Sequence, residues 1–229
     1  MKVVVLRLEG PLQSWSAQGK LAIRDTEREP TKSGVLGLVG CALGMEREDD
    51  ATLAELASLA MAVRIDQPGS LLRDYHTTGG GRFRGFSESG KKYRVHGTGY
   101  VVPSERYYLQ DASFVAALGG EDALVERIAA ALRSPRWPLF LGRRSCPPSR
   151  SVFESIADSS VGEAVREAAV CEGLRAESLR LAVEATPEDG GEPRYDVPLS
   201  FKEGDRRYAV RYVRTEWMAL TQGVVEARA

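Results

Sequence analysis

The segment from Pro30 to Gly44, PTKSGVLGLVGCALG, constrains this chain more than any other. Val35, Leu36, Leu38, Val39, Ala42 and Leu43 follow the 3.6-residue period of a helix, and Thr31 or Ser33 can cap its start. Yet the segment also carries Gly34, Gly37, Gly40 and Gly44, and each glycine inside a helix costs about 1 kcal/mol against alanine. Such a helix persists only where close packing offsets the loss. Gly34, Gly37, Cys41 and Gly44 share a face, so a closely approaching neighbour is expected there. Lys32 and Ser33 stand at the helix start, where N–H groups and the dipole attract an anion, and both are candidate phosphate ligands.

The flanking pattern supplies the rest of a fold. Lys2 to Leu8 reads as a buried strand, followed by the turn GPLQSW and a polar loop over Lys20 to Glu29. A second helix capped by Thr52 spans Leu53 to Met61, and Val63 and Ile65 alternate with charged neighbours in a short strand. Leu71 to Thr77 is extended. Arg106 to Leu118 is strand again, and Glu121 to Arg133 is an amphipathic helix with Leu124, Val125, Ile128, Ala129 and Leu132 on one stripe. Stripped of insertions, this is β-α-β-β-α-β lacking its last strand, an α+β plan of the split βαβ or ferredoxin-like kind. The strand after Ser151, or the one at Leu179, would complete it. Further on come a helix over Val161 to Glu172, an acidic linker over Thr186 to Pro193, and a strand with Tyr208, Val210 and Tyr212 inward. Arg206, Arg207, Arg211 and Arg214 are the polar residues of that strand.

Net charge is −1, which removes any whole-molecule argument for polyanion binding, but the charge is uneven. Arg73 to Arg106 holds seven Lys/Arg against three Asp/Glu, with both histidines, whereas Glu154 to Glu192 holds ten acids and three arginines. Such asymmetry points to a polyanion on one face. Two basic stretches stand out. Thr78 to Pro103 has seven glycines and almost no aliphatic pattern. In it Arg82, Arg84, Lys91, Lys92 and Arg94 interleave with Phe83, Phe86, Tyr93 and Tyr100. It reads as a projecting hairpin or loop in which cations follow phosphates and rings stack on bases. The second is LFLGRRSCPPSR, Leu139 to Arg150, in a stretch free of acids from Glu126 to Glu154. Gly142 frees the backbone to turn N–H groups outward, Pro147 and Pro148 stiffen the exit, and Arg143, Arg144 and Ser145 are candidate phosphate ligands.

Cys41, Cys146 and Cys171 have neither CxxC nor paired-His spacing, so neither a zinc site nor a disulfide framework is indicated, and reduced thiols of a cytoplasmic protein are expected. No nucleotide-binding glycine motif, metal cluster or triad spacing implies a cofactor. MKVVVLRLEG is too short and too charged for a signal peptide, and no apolar run is long enough to cross a membrane.

Several stretches, EGPLQSW, PTKSGVLGLVGCALG, RDYHT, YLQDASF and FLGRRSCPPS, resemble the CasD family in the family's own order. The matches run from Glu9 to Ser149. That family is a RAMP-type subunit of the type I-E CRISPR surveillance complex, Cascade. The resemblance implies a ferredoxin-like palm and a β-hairpin or loop thumb inserted at about 78–103. The chain is read as a single palm domain over 1–229, with a helix-plus-strands extension over 151–229 that the resemblance does not reach. It implies a non-catalytic protein that binds the 5′ handle of the CRISPR guide RNA, caps the filament of backbone subunits and contacts the large subunit, close to target DNA. By the same resemblance Arg106 reaches RNA bases at the thumb root, and His76 of RDYHT joins the RNA-binding set. A competing reading is a metal-independent endoribonuclease, as in type I-C relatives. Tyr75, His76, Lys91 and Lys92 are neighbours in sequence, and a histidine can act as general base near neutrality.

Overall fold

The computed structural model describes residues 1–16, 23–79, 84–86, 92–94, 101–174 and 176–220. Its elements, in order, are β1 (Lys2–Gln13), β2 (Ile23–Arg24), α1 (Lys32–Leu43), α2 (Asp50–Ala57), β3 (Ala60–Gln67), β4 (Ser70–Gly79), β5 (Arg84–Phe86), β6 (Lys92–Arg94), β7 (Val101–Gly120), α3 (Asp122–Arg133), β8 (Phe153–Asp158), α4 (Val161–Glu167), β9 (Ser178–Ala185), β10 (Glu192–Ser200) and β11 (Arg207–Ala219). A mixed α/β architecture results. One nine-stranded sheet runs β10-β11-β9-β3-β7-β1-β8, and β2 and β4 pair with β7 off that path. All its pairings are antiparallel except β2 with β7. Both candidate closing strands take part: β8, after Ser151, lies against β1, and β9, at Leu179, lies against β3. No helix among the described residues is long and apolar enough to cross a membrane.

The two-residue period of β1 divides the core. Val4, Leu6 and Leu8 point to the side covered by α1 and α3, and Val3 and Val5 point to the side covered by α4. Each such side chain removed from water contributes about 1.5–3 kcal/mol, so the sheet is fixed by burial on both faces. The expected stripe of α3 is the one that packs, with Leu124, Val125, Ile128, Ala129 and Leu132 all buried.

Tertiary packing overrides the local reading in five places. Asp49, not Thr52, caps α2, its carboxylate accepting the Thr52 N–H at 3.0 Å. Met61, expected at that helix's end, is instead a core residue of β3. Within the stretch 186–206, β10 emerges as an edge strand carrying Pro193 and Pro198, which an edge tolerates because one side of its ladder needs no partner. The phase of β11 is opposite to expectation: Arg211 and Val213 turn inward and Val210 is exposed. Finally, Arg64 does not face solvent.

Arg64 is 0% exposed and organises the α4 side of the sheet. Its Nε and Nη2 grip Asp66 at 2.6 and 3.0 Å. Its Nη1 donates to the carbonyls of Val165 and Ala168, both at 2.7 Å, and its Nη2 to that of Ala169 at 2.8 Å. Arg7 and the Cys171 N–H join Asp66 Oδ2 at 2.7 and 3.1 Å. The carbonyls that a short helix leaves unpaired at its C-terminus are thus satisfied by a buried guanidinium, while a capping box of Ser160 and Glu163 closes the N-terminus of α4.

The long strand β7 does two jobs. Its second half lies in the sheet between β1 and β3. Its first half pairs with β4 from Ser70↔Gln110 to Gly79↔Val101. The segments RDYHT and RYYLQ are therefore the two arms of one ribbon. That ribbon starts at Ser70, earlier than the expected insertion boundary at residue 78, and β5 and β6 pair with each other in the stretch between its arms.

Candidate nucleic-acid interface

The start of α1 does attract an anion, and the chain itself supplies it. Thr31 caps the helix through Oγ1, which accepts the Gly34 N–H at 3.3 Å. The Lys32 N–H donates to Asp196 Oδ2 at 2.8 Å, and Lys32 Nζ donates to Glu184 Oε1 at 2.8 Å. Arg211 holds Asp196 with two bonds, 2.7 and 2.9 Å. Burial pushes the Asp196 carboxyl up, but Arg211 and the Lys32 N–H outweigh it and keep the group below the usual carboxylate range. Lys32, 4% exposed, is therefore an internal ion-pair residue and not an open phosphate ligand. Ser33 is also buried, its hydroxyl 3.5 Å from Thr31 Oγ1.

The glycines of α1 divide in function. A Cβ on Gly34 would lie 2.8 Å from the Trp15 ring, so that glycine is required by close packing, as expected. Trp15 is itself held by Gln13, whose buried amide accepts the indole N–H and donates to the carbonyls of Leu8 and Ala112. Gly44 closes the helix in the left-handed conformation at φ 72°. Gly37 differs, since nothing lies within 4 Å of where its Cβ would be.

The arginine loop packs tightly against the end of β1. Gly142 has φ 86°, and a Cβ there would sit 1.7 Å from the Ser14 carbonyl oxygen. The loop's N–H groups divide: those of Arg143, Arg144 and Ser145 make no hydrogen bond among the described residues, while three others are tied within the loop. Leu141 donates to Cys146 O at 2.7 Å, Gly142 to Phe140 O at 3.0 Å and Cys146 to Arg143 O at 2.8 Å. Arg143 is stretched over the Tyr108 ring, 4.7 Å from its centroid, and donates to the Arg24 carbonyl at 2.6 Å. Arg144 and Ser145 are exposed.

Through Arg143 the loop adjoins the root of the ribbon. Arg24 lies in β2, in parallel register with Arg106 of β7. Arg24, Arg106, Arg143 and Arg144 form no ion pair among the described residues. Arg106 Nε and Arg143 Nη1 are buried donors without a hydrogen-bond partner there. Buried donors ordinarily find an acceptor. Arg24 escapes a sequence reading, because only its pairing with β7 sets it beside Arg106.

Elsewhere on the ribbon, His76 Nδ1 lies 3.9 Å from Asp74, while Arg73 and Tyr107 both engage Glu105, at 2.5 and 3.0 Å. Tyr75 and His76 are consecutive strand residues, so their side chains leave opposite faces and do not converge as an acid–base pair. Arg84 is in register with Arg94, and Lys92 with Phe86, on β5 and β6. Arg82 and Lys91 lie outside the described residues.

A groove of about 720 Å³ runs beside the loop, over the Gly37 face of α1. Trp137, Phe140, Phe201 and Tyr208 line it, with Arg47, Arg144 and Arg206. Arg47 and Arg206 belong to a turn and to a strand's approach in the sequence, and nothing local unites them.

The chain is similar to solved CRISPR-associated proteins. A structure described as "Crystal structure of Cas protein" superposes with a TM-score of 0.72 at 35% identity, covering 95% of both chains. A chain of a "CRISPR RNA-guided surveillance complex" superposes with a TM-score of 0.77 at 32% identity, covering 97% of this chain and 92% of that one. The "CRISPR system Cascade subunit CasD" of Escherichia coli (strain K12) is 36% identical over 169 residues, 69% of this chain and 72% of that protein. The chain belongs to the family described as CRISPR-associated protein (Cas_Cas5), whose model matches residues 3–214.

Proposed function

We propose that this chain is the non-catalytic RNA-binding subunit of a type I-E CRISPR surveillance complex in the cytoplasm. In this reading it holds the 5′ handle of the guide RNA and caps the backbone filament beside the large subunit. The observation that carries the reading is the arginine track Arg144–Arg143–Arg24–Arg106. Its members lack ion-pair partners among the described residues, and two of them carry buried unpaired donors. A guanidinium fork bonds phosphate oxygens in pairs, which suits a chain of phosphodiesters. The likeness to CasD of E. coli supports the choice of complex. The central order β8-β1-β7-β3, with α1 and α3 on one face, supports a ferredoxin-like palm. The β4–β7 ribbon with β5 and β6 supports a thumb, and Arg84, Lys92 and Arg94 lie on its two short strands.

The test is a gel with labelled repeat RNA, with and without protein and EDTA. A shift without cleavage is expected. Cleavage product that vanishes in His76→Ala would refute the non-catalytic reading, and the absence of any shift would refute RNA binding.

A further inference from the structure

We infer that the groove over Gly37 is a pocket for one unstacked base of the bound RNA, with Arg47, Arg144 and Arg206 taking the phosphates on its rim. This rests on the RNA-binding reading above and adds a subsite to it. Three observations carry it. First, Gly37 costs its helix about 1 kcal/mol, yet no packing explains it, because the space above its Cα is empty for 4 Å. A glycine there leaves the groove floor flat. Second, the walls are aromatic and partly open: Trp137, Phe140, Phe201 and Tyr208 line the cavity, and none of them is fully buried. Rings presented to a groove suit a base, because every base has a π face to stack. Third, the lining includes no Asp or Glu, and its three arginines are exposed and form no ion pair among the described residues. Three unneutralised cations beside aromatic rings suit a nucleotide, whose phosphates and base meet both at once.

At about 720 Å³ the groove falls within the ordinary range of small-ligand sites. Arg144 is shared with the track beside Arg143, so a strand following the track from Arg106 reaches the groove without leaving the basic surface.

The full chain is titrated with labelled single-stranded RNA copying the repeat-derived 5′ handle, and with copies made abasic at one nucleotide at a time. Gly37→Leu, which fills the floor, is compared with wild type. The helix has room for the substitution, so its melting temperature should hold or rise, and Gly37→Ala serves as a milder second variant. One abasic position is expected to weaken wild-type binding about 5- to 150-fold, as for loss of one stacked base. Gly37→Leu should show the same weakening and become indifferent to that abasic position. Cys41 provides a second readout, since it lines the groove while Cys146 and Cys171 are buried. RNA should slow its alkylation by a maleimide. If Gly37→Leu binds as wild type and Cys41 reacts equally fast with RNA present, the pocket is overturned while the RNA-binding reading stands. Protection of Cys41 by partner subunits without RNA would assign the groove to protein contact and overturn it too. If wild type binds no handle RNA, both readings fall.

Discussion

Asp196 accepts the backbone N–H of Lys32 at 2.8 Å across 164 residues of sequence. The same carboxylate is clamped by Arg211, so the start of α1 is pinned to β10 and β11. The C-terminal strands are thereby part of the structural frame of the helix that floors the groove. Removing one member of a buried ion pair leaves the other uncompensated, at a cost of about 3–5 kcal/mol. Asp196→Ala is expected to lose that much in urea unfolding. A loss below about 1 kcal/mol, the scale of an exposed pair, would show the contact to be incidental.

The pH dependence has a definite sign. Asp196 in the folded chain lies below its ordinary value of 3.8, held there against burial by Arg211 and the Lys32 N–H. A depressed carboxyl stabilises above its unfolded pKa, and that contribution disappears as pH falls through the folded value. The stability gap between wild type and Asp196→Asn should therefore be constant from neutrality to about pH 5 and shrink below about pH 4. Paired denaturation curves measure it. A gap that is constant throughout acid would mean the carboxylate is not the source.

Arg143 and Arg144, adjacent in sequence, should behave differently. Arg143→Ala loses a charged hydrogen bond to the Arg24 carbonyl and a contact with the Tyr108 ring. A stability loss of about 1.5–3 kcal/mol is expected, with weaker RNA binding as the track loosens. Arg144→Ala, exposed, should leave the melt unchanged and reduce the log–log salt slope of RNA binding by about 0.7 if it touches one phosphate. Identical melts for the two variants would contradict the division.

Gly142→Ala tests the loop's frame. The added Cβ meets the Ser14 carbonyl at 1.7 Å and the backbone holds φ 86°, so the loop must detach from the end of β1. Strain at such a position costs about 1–3 kcal/mol before the clash is counted. A lower melting temperature together with weakened handle binding is expected. Unaltered melting would mean that the loop relaxes freely.

Residues 80–100 can be excised by joining Gly79 to Val101, which face each other across the ribbon, with a short Gly-Ser turn. The deletion removes Arg82, Arg84, Lys91, Lys92 and Arg94 and little aliphatic surface. Stability should be nearly unchanged. If three to five of those charges meet phosphates, the salt slope flattens by roughly 2–3.5 units. An unchanged slope with a large fall in melting temperature would make the segment structural and end the thumb assignment.

By itself, the sequence determined the elements whose signals are local. The apolar alternation of β1, the stripe of α3 and the capped, glycine-bearing α1 each depend on neighbours within a turn or two, and each formed close to where its pattern lies. The basic loop was also legible, because composition alone separates it from the core. Only tertiary structure decided which charges are free. Lys32, Arg64 and Arg211 look like surface cations in the sequence and are buried because distant groups satisfy them: Glu184 for Lys32, the carbonyls of Val165, Ala168 and Ala169 for Arg64 beside its strand neighbour Asp66, and Asp196 of the opposing strand for Arg211. Conversely, Arg24, Arg47 and Arg206 carry no local mark, and fall beside Arg106 and Arg144 only when β2 pairs with β7 and the groove closes around α1. Burying an unpaired charge is costly, so the long-range contacts of the sheet, which local sequence does not encode, assign these arginines either to the interior network or to the open track.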